Sequence, residues 1–112
     1  MNENRFQSEL IKEIKHDIPD CFVLKNDGSN TPQGFPDLTI LYKDQWATLE
    51  CKKTEDSSKR PNQEYYVHTL DNMSFSRFIS PENKKEVLDE LYSTLRSDRP
   101  ARISRRKQVS LD

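Results

Sequence analysis

The sequence predicts an α/β fold, a mixed central β-sheet flanked by helices. Three observations carry this expectation. Apolar residues recur at helical spacing near the start of the chain and again past residue 84. Two apolar-rich runs joined by a tight polar turn read as a β-hairpin. A proline-initiated helix then stands between that hairpin and one more short strand, an alternation that belongs to layered α/β architectures.

The elements follow in order. Phe6, Leu10, Ile11, Ile14 and Ile18 line one face of a helix over residues 4–18, and Pro19 stops it. Cys21 to Leu24 reads as a strand. Residues 26–36 are turn chemistry throughout and form a loop that holds both glycines, Gly28 and Gly34. Asp37 to Tyr42 and Trp46 to Lys52 are the two strands of the hairpin, with Lys43, Asp44 and Gln45 between them. Lys53 to Arg60 is a polar loop. Pro61 suits the first position of a helix running to about Leu70. Phe75 to Ile79 is a last strand. A final helix is expected to start with Ser80 as its cap and Pro81 in its first turn, with Asn83 loosely at the capping-box position. It carries Val87, Leu88, Leu91 and Leu95 on one face. From Ser97 onward no apolar period is visible, so residues 1–96 are expected to form one domain and residues 97–112 a basic, flexible tail.

Composition bounds the partners. Charged residues make up 33% of the chain and hydrophobic ones 32%, so the apolar supply is thin. That leaves room for a homodimer or for a tail outside the core. No apolar run is long enough for a membrane span, and the polar N-terminus does not resemble a leader. Cys21 and Cys51 have neither CxxC spacing nor a neighbouring histidine, which argues against zinc and for buried thiols in a reducing cytoplasm. Residues 1–95 hold 12 Lys and Arg against 17 Asp and Glu, a net −5; residues 96–112 hold 6 against 2, a net +4. An acidic body with a basic tail fits a nuclease whose carboxylates await a metal, and equally a plain acidic domain with a solubilising tail.

Glu50 and Lys52 lie two apart on a strand, so their side chains share a face, and Cys51 between them points to the other. Asp37 begins the partner strand, and hairpin pairing brings it towards Glu50. Two carboxylates with a lysine beside them suit a hard divalent cation. Mg²⁺ takes oxygen ligands and keeps several waters, so one or two carboxylates plus a phosphate suffice. Mn²⁺ suits the same oxygens. The lysine adds positive charge where negative charge grows in phosphoryl transfer.

Gly34-Phe35-Pro36-Asp37, followed on the next strand by Leu49-Glu50-Cys51-Lys52-Lys53, resembles the active-site signature of the PD-(D/E)XK nuclease superfamily. The likeness extends over roughly residues 5–80. Within the superfamily the chain is most similar to compact VRR-NUC domains, often phage-encoded, and to their archaeal-type Holliday-junction resolvase relatives. The resemblance implies a restriction-endonuclease-like αβββαβ core and a metal-dependent endonuclease acting on DNA. It implies that Asp37 and Glu50 hold the metal with the Cys51 backbone carbonyl. Lys52 would be the catalytic lysine and Gln63, on the helix after it, would support the site. Glu9, on the first helix, stands where many members place a further acidic ligand. Some members carry an aromatic residue four positions after the glutamine, where this chain has Val67.

Simpler roles stand beside these. Glu9 also fits the polar face of an amphipathic helix. Lys25, Lys53 and Arg60 on the body and Arg102, Arg105 and Arg106 in the tail are candidate phosphate contacts. For Lys25 a solvated strand end is the simpler reading, and for the tail an unattached chain end serves as well. His16 and His68 have no metal-ligand spacing, and Trp46 reads as a packing anchor. Tyr65 and Tyr66 point about 100° apart on a helix, so one can cover the site while the other packs on the sheet.

The function expected from these features is structure-selective cleavage of junction, flap or branched DNA, in phage or bacterial DNA processing. A cytoplasmic homodimer without a small-molecule cofactor is expected. The alternatives are a catalytically silent DNA- or protein-binding module on the same fold, and an accessory subunit that needs a partner to cut.

Overall fold

Seven elements alternate along the chain in a computed structural model that describes residues 2–97. Helix α1 spans Glu3–Asp17, with the Asn2 side chain accepting the Arg5 N–H at 2.8 Å as its cap. Strands β1 (Phe22–Lys25), β2 (Leu38–Tyr42) and β3 (Gln45–Cys51) follow. Helix α2 (Pro61–Met73), strand β4 (Ser76–Ile79) and helix α3 (Lys84–Arg96) complete the set.

The four strands form one mixed sheet in the order β1-β2-β3-β4. The first two pairings are antiparallel and β3–β4 is parallel, with α2 as the crossover that a parallel pair requires. The sequence-predicted α/β order and mixed sheet are therefore present. Lys43, at φ 55°, turns the hairpin between Tyr42 and Gln45.

Strand alternation divides β3 between two environments. Ala47, Leu49 and Cys51 are fully buried in the apolar core with Leu38 and Ile40 of β2. That core is roofed by Phe6, Leu10 and Ile14 of α1 and by Val87, Leu88, Leu91 and Leu95 of α3. The two helices are tied by Lys84 to Glu13 at 2.8 Å and by the Tyr92 hydroxyl to Asp17 at 2.6 Å. Trp46, Thr48, Glu50 and Lys52 face the opposite side, where α2 lies. Thr48 and Ser76, neighbours across β3 and β4, bond to each other there at 2.7 Å.

The ends of two helices differ from the sequence-based expectation. Helix α2 continues to Met73. Helix α3 begins at Lys84, not at Pro81, because Asn83 turns its side chain back: its Oδ1 accepts the Ser80 N–H at 2.7 Å and its amide donates to the Phe78 carbonyl at 3.2 Å. This closed polar turn competes with helix, as Asn side chains commonly do. Both cysteines are buried free thiols. Among the described residues, no helix is long and apolar enough to cross a membrane.

Candidate active site

The hairpin register sets the site. Leu38, the first residue of β2, pairs with Leu49, which leaves Asp37 just beyond the ladder at the level of Glu50. The Asp37 charge is near enough to raise the Glu50 carboxyl. Asp37 Oδ2 also accepts the Cys51 N–H at 3.0 Å, which fixes its carboxylate against the end of β3. From the other side, Asn26 donates its backbone N–H to the Asp37 carbonyl and its side-chain amide to the Pro36 carbonyl, both at 2.7 Å.

Helix α2 supplies the third part. Gln63 Nε2 donates to Glu50 Oε2 at 3.0 Å, and Gln63 Oε1 accepts Lys52 Nζ at 2.7 Å. The same Oε1 accepts the Arg60 N–H at 3.0 Å, so the residue that bridges Glu50 and Lys52 also caps its own helix. One glutamine thus fixes the acid, the amine and the start of α2 together.

Gly34 lets the preceding loop reach this helix. Its φ is +89°, and a Cβ there would stand 2.6 Å from Asn62 Cβ. Only glycine combines that backbone conformation with so close an approach.

Electrostatically the pair is under pressure. Burial raises the Asp37 carboxyl above its usual range, against the opposing pull of the Cys51 N–H. Glu50 is pushed up to about 8, first by burial and then by the Asp37 charge, with Lys52 opposing. Glu50 is only 4% exposed. Two buried carboxylates side by side resist ionising together, and Lys52 only partly offsets this. The Cys51 thiol is pushed up to about 12, chiefly by burial, and is therefore an inert core group.

Asp37, Glu50, Lys52 and Gln63 are brought together. Cys51 contributes its backbone N–H to Asp37 while its side chain sits in the core. Lys25 ends β1 close enough for its charge to favour ionised Asp37. Lys53 is exposed just beyond β3, and Arg60 is exposed at the N-cap of α2. Arg102, Arg105 and Arg106 lie outside the described residues.

Among the described residues no contact brings Glu9 to this cluster. It is exposed, pairs with Arg5 at 3.3 Å, and stands by Pro81 and Lys84. The buried Gln7 of α1 lies close enough to Cys51 to act on its thiol. Glu9, two residues on, points about 200° around the helix from it. Glu3, one turn before Gln7, is the α1 carboxylate whose charge raises both Asp37 and Glu50. A sequence signal existed for this face. Gln7 sits three before Leu10 and seven before Ile14, a polar residue within the buried stripe.

The donor set fits a hard divalent cation. Two carboxylates repel each other in a buried setting, and Gln7 Oε1, buried beside Cys51, has no hydrogen-bond partner among the described residues. Among the described residues no group of three or more His, Cys, Asp or Glu converges on a metal position. Mg²⁺ does not require one, since it completes its shell with water and substrate oxygens. No protein-family model, curated protein or solved structure matches the chain.

Proposed function

We propose that the chain is a metal-dependent endonuclease of PD-(D/E)XK type that hydrolyses phosphodiester bonds in DNA. One observation carries the proposal: Asp37 opposes Glu50 across a hairpin while Gln63 links Glu50 to Lys52. The αβββαβ order, with its parallel β4 and crossover helix, is compatible with the framework that the sequence resemblance implies.

Asp37 and Glu50 would hold Mg²⁺ or Mn²⁺ with the Cys51 carbonyl as a further oxygen. When bound, such an ion polarises the phosphate and lowers the pKa of a water molecule. The chain's own groups do the rest. Lys52 offers its ammonium to the phosphate oxygen that gains charge in the transition state. One of its three N–H bonds is used on Gln63, which aims the amine and leaves two for substrate. Asn26 and the Cys51 N–H hold Asp37 in register. Burial of Glu50 strengthens every charge interaction there.

Sequence-neutral recognition is the proposed mode, through the cations and amides that this site offers to phosphates. Junction, flap or branched DNA is the proposed substrate class, and a homodimer the proposed assembly.

The test is cleavage of end-labelled linear, flapped and four-way-junction DNA by the purified chain with Mg²⁺, Mn²⁺ or EDTA. Lys52→Ala is the control. Metal-dependent cutting that disappears in the variant supports the proposal. Intact DNA on every substrate in both metals would overturn it in favour of a silent binding module or a subunit that needs a partner.

A further inference from the structure

A cleft of about 250 Å³ opens beside Lys52, and Gln63 is not among its lining residues. Its walls include Lys52 and Thr54 after β3, Lys59 in the following loop, Phe78 of β4, and Ser80 and Asn83 before α3. We propose that this cleft is a phosphate subsite for the DNA strand being cut, receiving the phosphate next to the scissile one. The inference rests on the nuclease proposal and adds the path of the strand to it.

Three features point to an anion. Lys52 reaches both the carboxylate pair and this cleft, so a strand whose scissile phosphate meets Lys52 must continue past it. Lys59 supplies a second ammonium and is held in place: its Nζ donates to the Glu55 carbonyl at 3.2 Å and lies 5.3 Å from the Phe78 ring centre. That leaves two N–H bonds of Lys59 for a ligand. The loop that carries Lys59 is fixed as well. The Glu82 carboxylate accepts the Glu55 N–H at 2.8 Å, tying the loop after β3 to the foot of α3. Glu55 is the one carboxylate lining the cleft among the described residues, and it is exposed. A cleft of this volume has room for a phosphate.

A second cleft, of about 280 Å³, is lined by Gly34, Arg60, Asn62 and Gln63. It offers one cation where the first offers two. A strand running that way instead would engage Arg60 and leave Lys59 idle.

The experiment measures anisotropy of a fluorescein-labelled 20-base-pair DNA with the full chain in EDTA, across a salt series. Lys59→Gln is compared with Arg60→Gln and with Lys43→Gln, which removes the same charge at the opposite end of the hairpin. The expected result is several-fold weaker binding for Lys59→Gln, with the slope of log affinity against log salt reduced by about 0.9, and little change for Lys43→Gln. In the cleavage assay Lys59→Gln should raise KM and leave kcat intact. If the parent chain binds and cuts DNA while Lys59→Gln matches it, the subsite is wrong and the nuclease proposal stands. The subsite is equally wrong if Lys59→Gln and Lys43→Gln weaken binding to the same extent. A parent chain that neither binds nor cuts DNA overturns both.

Discussion

At the end of β3 that bears the site, the two faces of the strand are both buried and chemically opposed. On one, Leu49 and Cys51 are fully enclosed by apolar groups from α1 and α3. On the other, Glu50 is 4% exposed, yet it carries a carboxyl that shares its space with Asp37 and meets Gln63. The first face stabilises the fold by removing apolar surface from water. The second costs free energy, because a buried carboxylate loses solvation that its neighbours only partly replace. Within one strand, burial is therefore used once for stability and once to poise a charge.

Substitutions on the two faces should separate these effects. The largest stability change is expected for Leu49→Ala, a loss of about 2–5 kcal/mol from the cavity it leaves, read by urea unfolding. Lys52→Ala should leave unfolding nearly unchanged and lower the cleavage rate by about 10²–10³-fold, as loss of a transition-state donor does. Equal instability of the two variants would erase the contrast. Gln63→Leu sharpens it: the acid and amine lose their common anchor, and activity should fall by about 10–100-fold, as for groups that orient ligands from behind.

The pH dependence has a defined sign. Glu50 is raised from 4.5 to about 8, so the folded chain binds the proton more tightly than the unfolded one. Its stabilising contribution is complete below pH 4.5 and is lost as pH rises through 8, at no more than about 1.4 kcal/mol per pH unit. Glu50→Gln should remove that slope and be more stable than the parent at pH 8. Millimolar Mg²⁺ should flatten the parent's profile and leave the variant's unchanged. Unfolding curves at pH 5, 6.5 and 8 decide it, and a parent profile already flat without metal would refute the poised-carboxyl account. The smallest effect belongs to the α1–α3 contact: Tyr92→Phe removes the bond to Asp17 and should cost about 1 kcal/mol, with no change in cutting.

Alternation along residues 46–52 was enough to read which side chains of β3 share a face, and the turn residues at 43–45 were enough to read the hairpin that faces Asp37 to Glu50. These are local rules with a period of two. The helix phase of α1 was harder. Glu3 and Glu9 are both exposed glutamates, and only the buried polar Gln7 distinguishes the side that meets β3. The start of α3 was missed for a related reason. Ser80 and Asn83 are both good caps, and the choice depends on whether Asn83 turns back to Ser80 and Phe78. The bridging role of Gln63 needed the crossover geometry, since its partners lie 13 and 11 residues away.

Gly34 has a consequence for how this chain can change over generations. It packs the loop before Asp37 directly onto Asn62, beside Gln63, so both halves of the site share one point of attachment. Gly28, a few residues earlier, has open space around it. Added length at residues 28–32 would extend outward, while any side chain at 34 would push Asp37 and the bridging amide of Gln63 apart together. The segment thus divides into a stretch open to insertion, where new substrate contacts can be tried, and a hinge pin that holds the chemistry constant meanwhile.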